Sequence, residues 1–146
     1  VMAENLGIPK GPLWGELQKG RAVTTPVGKT VQPEQVLGPP RRGRRIAYTG
    51  DTSPCNATLA LAKDADILIH EATFGDELED KALESGHSTP SQAAEIARKA
   101  GVKRLVLTHI SGRYAMEDGF LDRARRIFPE TIIAEDFMVL EVPLPD

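Results

Sequence analysis

The chain is predicted to fold as α/β, with helices laid on a largely parallel sheet. Three observations predict this. Beyond residue 44, short apolar runs alternate with helix-prone stretches, the order expected of successive βαβ units. Three of those runs end in polar residues: 45–49 leads into Gly50-Asp51-Thr52, 66–69 into His70-Glu71-Ala72-Thr73, and 104–108 into His109. Parallel sheets gather their chemistry outside the carboxyl ends of the strands, where these residues would lie. Between the last two, Gly86-His87-Ser88-Thr89-Pro90 leads into a stretch with strong helix start and stop signals.

The first 40 or so residues differ from the rest. Gly7, Pro9, Gly11, Pro12, Gly15 and Gly20 interrupt any long helix. Leu13 to Leu17 is expected to make a turn or two of helix after Pro12, since proline suits the first helical turn. Residues 21–25 and 29–31 alternate weakly around Pro26-Val27-Gly28 and predict a short hairpin. Such a piece has little to bury and is expected to lean on something else or to move. Gly38-Pro39-Pro40-Arg41-Arg42-Gly43 marks the boundary. The regular part follows as a strand at 45–49, a helix near 55–63, a strand at 66–70 and a short polar helix near 76–84. The helix at 90–100 has Thr89 as cap, Pro90 in its first turn and Gly101 as its stop. Its Ala93, Ala94, Ile96, Ala97 and Ala100 form one apolar face. A strand at 104–108, a helix near 119–128 and strands at 131–134 and 137–142 complete the prediction.

At 146 residues, 40 % hydrophobic and 27 % charged, the chain has the size and composition of one globular domain. No apolar run approaches the ~20 residues of a membrane span. The start, Val1-Met2-Ala3-Glu4-Asn5, lacks the basic and apolar regions of a signal peptide. The single cysteine, Cys55, excludes an internal disulfide and favours a reducing compartment, so a cytoplasmic location is expected. The net charge of −3 conceals an asymmetry. Residues 1–45 carry eight Lys/Arg against three Glu, a net +5, which leaves −8 on the remainder. A basic segment beside an acidic body is a pattern of nucleic-acid binders; a solvated loop with scattered lysines would show the same charge.

Each candidate residue has a bland reading beside its chemical one. Asp51 follows a Gly turn after a strand, as a metal ligand would, and from there it could bridge two cations; an Asx-turn or a helix cap would look the same. His109 ends a strand, where an imidazole is a natural ligand. Ser111, Arg113 and Tyr114 follow it and could hold a phosphate through charge-assisted hydrogen bonds. The plain alternative is a half-buried histidine. Glu71 beside a histidine can orient it for proton donation. His87, in a loop before a helix, is better placed for that than His70, which ends a buried strand. Trp14 could stack on a base or anchor a small cluster with Leu13 and Leu17. Singly these signals are weak; their recurrence at successive strand ends makes them a site.

Several longer stretches resemble the ribonuclease Z (tRNase Z) family of the metallo-β-lactamase superfamily, specifically its carboxyl-terminal half. They are Gly-Pro-Leu-Trp-Gly-Glu-Leu at 11–17, Leu-Gly-Pro-Pro at 37–40, Gly50-Asp51-Thr52, Ala65-Asp66, His70-Glu71-Ala72-Thr73-Phe74, Gly86-His87-Ser88-Thr89 and Thr108-His109-Ile110-Ser111-Gly112-Arg113-Tyr114. The resemblance implies one half of an αββα sandwich, over 39–146, with a protruding tRNA-binding arm at 1–38. It implies Asp51 as the aspartate between two zinc ions and His109 as a ligand of one of them. It implies Glu71 and His87 as the pair that delivers a proton to the leaving 3′ oxygen. Ser111, Arg113 and Tyr114 would lie near the phosphate of the cleaved nucleotide. In the arm, Gly11-Pro12 matches the family's Gly-Pro motif, and Lys10, Lys19, Arg21 and Lys29 would serve the tRNA. The expected activity is cleavage of the 3′ trailer from precursor tRNA, with two Zn²⁺ per site, by an enzyme that is a homodimer in full-length form.

One departure matters. The family's H-x-H-x-D-H metal motif and the further histidine ligand that precedes the arm are absent. Asp51 and His109 cannot hold two zinc ions that each want about four donors. The chain is therefore expected to be a fragment that is inactive by itself. The competing readings are another metallo-β-lactamase-fold phosphodiesterase, which would need no basic arm, and a non-catalytic RNA-binding module.

Overall fold

The computed structural model describes residues 2–39, 42–114 and 119–144. The chain divides into two compact units, Val1–Arg42 and Gly43–Asp146. Pro40 and Arg41, in the expected boundary, lie outside the described residues.

The first unit contains helices α1 (Met2–Asn5) and α2 (Pro12–Gln18) and the strands β1 (Val23–Thr24) and β2 (Thr30–Val31). Pro12 occupies the first position of α2, where its missing N–H costs nothing. The hairpin pairs Val23 with Val31 and Thr24 with Thr30, and its turn needs Gly28 at φ 82°. The expectation of a piece with little to bury is corrected. Ala3, Ile8, Leu17, Val23 and Val31 form a small buried core, with Leu6, Leu13, Trp14 and Val36 packed on it. Gly and Pro do forbid a long helix here. They also let several short pieces turn back, so that apolar residues far apart in sequence converge, which no period reveals.

The second unit is a four-stranded sheet in the order β3 (Ile46–Tyr48), β4 (Ile67–Glu71), β5 (Leu105–Thr108) and β6 (Thr131–Ile133). Every pairing is parallel. The helices are α3 (Asn56–Ala62), α4 (Glu79–Ser85), α5 (Pro90–Ala100) and α6 (Asp122–Ile127). Ala47, Leu68 and Leu105 share a register row, and Leu107 follows on the same face. They pack with the alanine face of α5 and with Ala62 and Ala124 into the main core. Alanines let a helix lie close to the sheet, and burial of the Leu side chains supplies ~1.5–3 kcal/mol each. The opposite face carries Ile46, Tyr48, Ile67, Ile69 and Val106 by strand alternation. Ile46 and Tyr48 at the β3 edge are 58 % and 64 % exposed.

α5 matches its signals closely. Thr89 and Gln92 close a capping box, Pro90 begins the helix, and Gly101 ends it at φ 66°. The expected strand at 137–142 does not form. Phe137 sits in a turn at φ 65° and is 99 % exposed. A left-handed aromatic residue cannot continue a strand, so an apolar run alone was a false signal.

Candidate active site

Four chain segments meet at the carboxyl ends of β3, β4 and β5. After β3, Gly50 turns the chain at φ 63° and presents an exposed Asp51. After β5 comes His109, at φ 53°. A histidine in that region is uncommon and is characteristic of functional sites held by their surroundings. The β4–β5 ladder continues past the strands, with Ala72 N–H donating to the Thr108 carbonyl (2.9 Å) and Ser111 N–H to the Thr73 carbonyl (3.2 Å). These bonds hold the loops after β4 and β5 side by side. The fourth segment is the loop between α4 and α5, opened by Gly86 at φ 80°, which carries His87.

Glu71 is the hub. It is 1 % exposed yet fully satisfied. Its Oε1 accepts from Thr52 N–H (3.0 Å) and lies 2.8 Å from His87 Nδ1. Its Oε2 accepts from Thr73 N–H (3.0 Å), the Thr73 hydroxyl (2.8 Å) and Ser88 N–H (3.1 Å). Burial alone would raise the Glu71 pKa; the hydrogen bonds from Thr73, Thr52 and Ser88 together outweigh it and leave it below the ordinary value. Glu71 is therefore an anion that orients His87. The Ser88 hydroxyl donates to the Thr52 carbonyl (2.6 Å) and ties the two loops together. The His87 ring stacks on that of His109, with centroids 5.5 Å apart.

His70 falls on the other side. Its register partner Leu107 belongs to the helix-side core. Its Nδ1 lies 2.8 Å from the Glu71 carbonyl, and Nε2 has no partner among the described residues. Burial lowers its pKa, with the Glu71 carbonyl opposing.

Ligand atoms of Asp51, His87 and His109 all lie within 4.8 Å of one another. Among the described residues they are the one such His/Cys/Asp/Glu group. One carboxylate and two imidazoles are donors that zinc accepts, so the residues fit a metal site, although three donors do not complete one. Beside His109, the short turn Gly112–Tyr114 follows Ser111. A cleft of about 660 Å³ is lined there by His109, Ser111, Tyr114, Phe120, Arg125 and Asp136, among others. Tyr114 donates its hydroxyl to Glu77 Oε1 (2.7 Å). Burial first and this bond second raise its pKa, so it stays a phenol.

A family model described as "Beta-lactamase superfamily domain" matches residues 16–110. The chain belongs to that superfamily. It is 52 % identical over 146 residues to the ribonuclease Z of Gemmatimonas aurantiaca, covering 99 % of this chain and 46 % of that protein. It is 53 % identical over 140 residues to the ribonuclease Z of Archaeoglobus fulgidus, covering 95 % and 45 %. The crystal structure of the short form of human tRNase Z matches with TM-score 0.56 and 41 % identity, over 79 % of this chain and 37 % of that one. A metallo-beta-lactamase fold protein from Bacillus subtilis, 24 % identical with TM-score 0.57 over 78 % of this chain and 44 % of its own, shares the fold. The chain spans about half the length of the curated relatives it matches.

Within this superfamily member, the structure brings together Asp51, Glu71, His87 and His109. Ser111, Arg113 and Tyr114 lie in the segment just beyond His109, but the Tyr114 hydroxyl is engaged by Glu77. In the other unit, Gly11-Pro12 starts α2, and Trp14 packs on the local cluster with its indole N–H on the Ile8 carbonyl (3.4 Å). Lys19 and Arg21 both pair with Glu16 (3.0 and 2.7 Å), and Lys10 lies 3.7 Å from Glu4. Sequence reasoning missed Thr52, Thr73, Ser88 and Glu77. The first and third directly follow Asp51 and His87, and Thr73 lies two residues after Glu71, so proximity to a predicted site residue was the available signal.

Proposed function

We propose that this chain is the carboxyl-terminal half of a zinc-dependent endoribonuclease that removes the 3′ trailer from precursor tRNA. The observation that carries the proposal is the buried Glu71 anion bound to His87 beside Asp51 and His109. That arrangement is a proton donor set next to metal-ligating groups, in a chain about half identical to ribonuclease Z proteins.

Asp51 and His109, with donors from the rest of the protein, would hold two zinc ions, which supply an activated water and charge stabilisation at the phosphorus. This chain's residues do the rest. Glu71 fixes the His87 ring through Nδ1, and His87 gives a proton to the leaving 3′ oxygen. Ser111 and Arg113 hold the phosphate of the cleaved nucleotide. Tyr114 joins them only by giving up Glu77. The sheet face that carries Ile46 and Tyr48, open at its β3 edge, is the one on which a second sheet of an αββα sandwich would pack. Residues 1–38, within the compact unit at 1–42, serve as the tRNA-binding arm, and the whole protein acts as a homodimer. No helix among the described residues is long and apolar enough to cross a membrane.

The test is the protein completed with the remainder of its parent gene, incubated with precursor tRNA and zinc. Cleavage at the 3′ end supports the proposal. Hydrolysis of a small chromogenic diester with intact precursor tRNA would favour a different phosphodiesterase of the same fold.

A further inference from the structure

Thr73 is the side chain shared by both histidines of the site. Its Oγ1 lies 2.8 Å from Glu71 Oε2, 2.8 Å from His109 Nδ1 and 3.2 Å from His87 Nδ1. A threonine hydroxyl has one proton to donate and two lone pairs that accept. Glu71 receives donors on both oxygens, three of them backbone N–H groups, so a proton on the carboxyl would face other donors. The carboxylate only accepts, and the Thr73 proton goes to it. The contact with His109 is equally short and needs a proton of its own, which only the ring can supply. The carboxylate of Asp51 is no rival for it, since its Oδ1 lies 3.6 Å from the same nitrogen.

We propose that Thr73 is a positioning residue that holds His109 in its Nδ1–H tautomer and so leaves Nε2 as the lone pair offered to a divalent cation. The same inventory applies to His87. Its Nδ1 faces the acceptor-only Oε1 of Glu71 at 2.8 Å and carries hydrogen, so the proton it exchanges with substrate is the one on Nε2. One hydroxyl and one carboxylate thus set the orientation of both rings. Partners of this kind behind a ligating imidazole fix its tautomer and sharpen its affinity for metal. The inference rests on the reading of His109 as a ligand in the proposed function.

This chain has three histidines, so their tautomers can be read directly. In ¹⁵N-histidine-labelled protein at mildly alkaline pH without metal, long-range ¹H–¹⁵N correlation should show His109 and His87 protonated on Nδ1. Protonation of His109 on Nε2 in the unsubstituted chain would overturn the inference, whatever any variant does. Thr73→Val keeps the shape and the backbone N–H bond to Glu71 and removes the hydroxyl. It should move His109 toward the Nε2–H form, whereas Thr73→Ser should keep Nδ1–H; an unmoved His109 in the valine variant contradicts the assignment. In the completed protein, zinc titrated against a competing chelator should bind about 10–100-fold more weakly to Thr73→Val. Thr73→Ser should stay close to the unsubstituted affinity, and equal affinity in all three proteins counts against the inference. None of these readouts depends on RNA cleavage. Failure to cut precursor tRNA with the tautomers as assigned would therefore overturn the proposed function and leave the role of Thr73 standing.

Discussion

His87 and Asp51 illustrate how closely spaced residues in one site can be told apart by what they touch. His87 is held by the Glu71 carboxylate through Nδ1 (2.8 Å), while Asp51 is exposed at the end of a glycine turn. In the completed protein, His87→Ala should slow the chemical step by roughly 10²–10⁴-fold, the usual worth of a general acid. Zinc content by elemental analysis should stay unchanged; its loss would make His87 a ligand instead. Asp51→Ala should lose metal. His70 gives a prediction of another kind. Burial lowers its folded pKa below the ordinary 6.5, so the unfolded chain takes up the proton first. The contribution of His70 to stability should be fully present above about pH 6.5 and be lost as pH drops below it toward the folded value. Chemical denaturation across a pH series would show that slope in the parent. His70→Asn, which offers a donor to the Glu71 carbonyl and does not titrate, should flatten it even if it costs stability at every pH.

At the scale of an element, α5 connects stability to the site. Its capping box at Thr89 and Gln92 begins two residues after His87, and Thr89 is buried. Thr89→Ala should destabilise the protein by about 1 kcal/mol, within the usual 0.5–2 for such a cap. Thr89→Ser should recover most of it. Thermal melts of the three proteins decide this, and an unchanged midpoint in the alanine variant would mean that the box contributes nothing. This helix was also the most legible element in the sequence, because cap, proline, apolar face and terminal glycine all agreed. The apolar run at 137–142 had only its hydrophobicity. With Phe137 in a left-handed turn it stays out of the sheet. Apolar content proposes a strand, but a paired edge and compatible dihedrals are what make one.

For the whole molecule, the division into two compact units sets the last predictions. Residues 1–42 have a core of their own, so their replacement by a short Gly/Ser linker in the completed protein removes a folded unit. Binding of precursor tRNA should weaken, and hydrolysis of a small diester should survive. The slope of log K against log salt should flatten by up to about 0.9 for each phosphate that the arm no longer neutralises, taking duplex DNA as the guide. Lys19 and Arg21 share Glu16. Exposed pairs of this kind are weak enough to open toward a phosphate, but they reduce the net charge that this unit presents. Equal binding across the salt series would return these cations to a solvated surface. The chain alone with added zinc should not cut precursor tRNA, because Asp51, His87 and His109 are too few donors for two metal ions.

By itself the sequence determined the α/β alternation, the parallel sheet, the bounds of α5 and the placement of Asp51, Glu71, His87 and His109 at strand or loop ends. Each of these is written locally, in period, caps and turn residues. Only the tertiary structure decided which atoms meet. It placed Thr73 on Glu71, His87 and His109 together, made Glu71 a satisfied buried anion, turned His70 to the opposite face, and occupied the Tyr114 hydroxyl with Glu77. It also assembled Ile8, Leu17 and Val31 into a core where no periodicity predicted one. The physical reason is that hydrogen bonds and buried contacts are short-ranged in space. They join residues such as 52, 71, 73, 88 and 109, whose sequence separations carry no period, and they exist only once the sheet has brought its strand ends side by side.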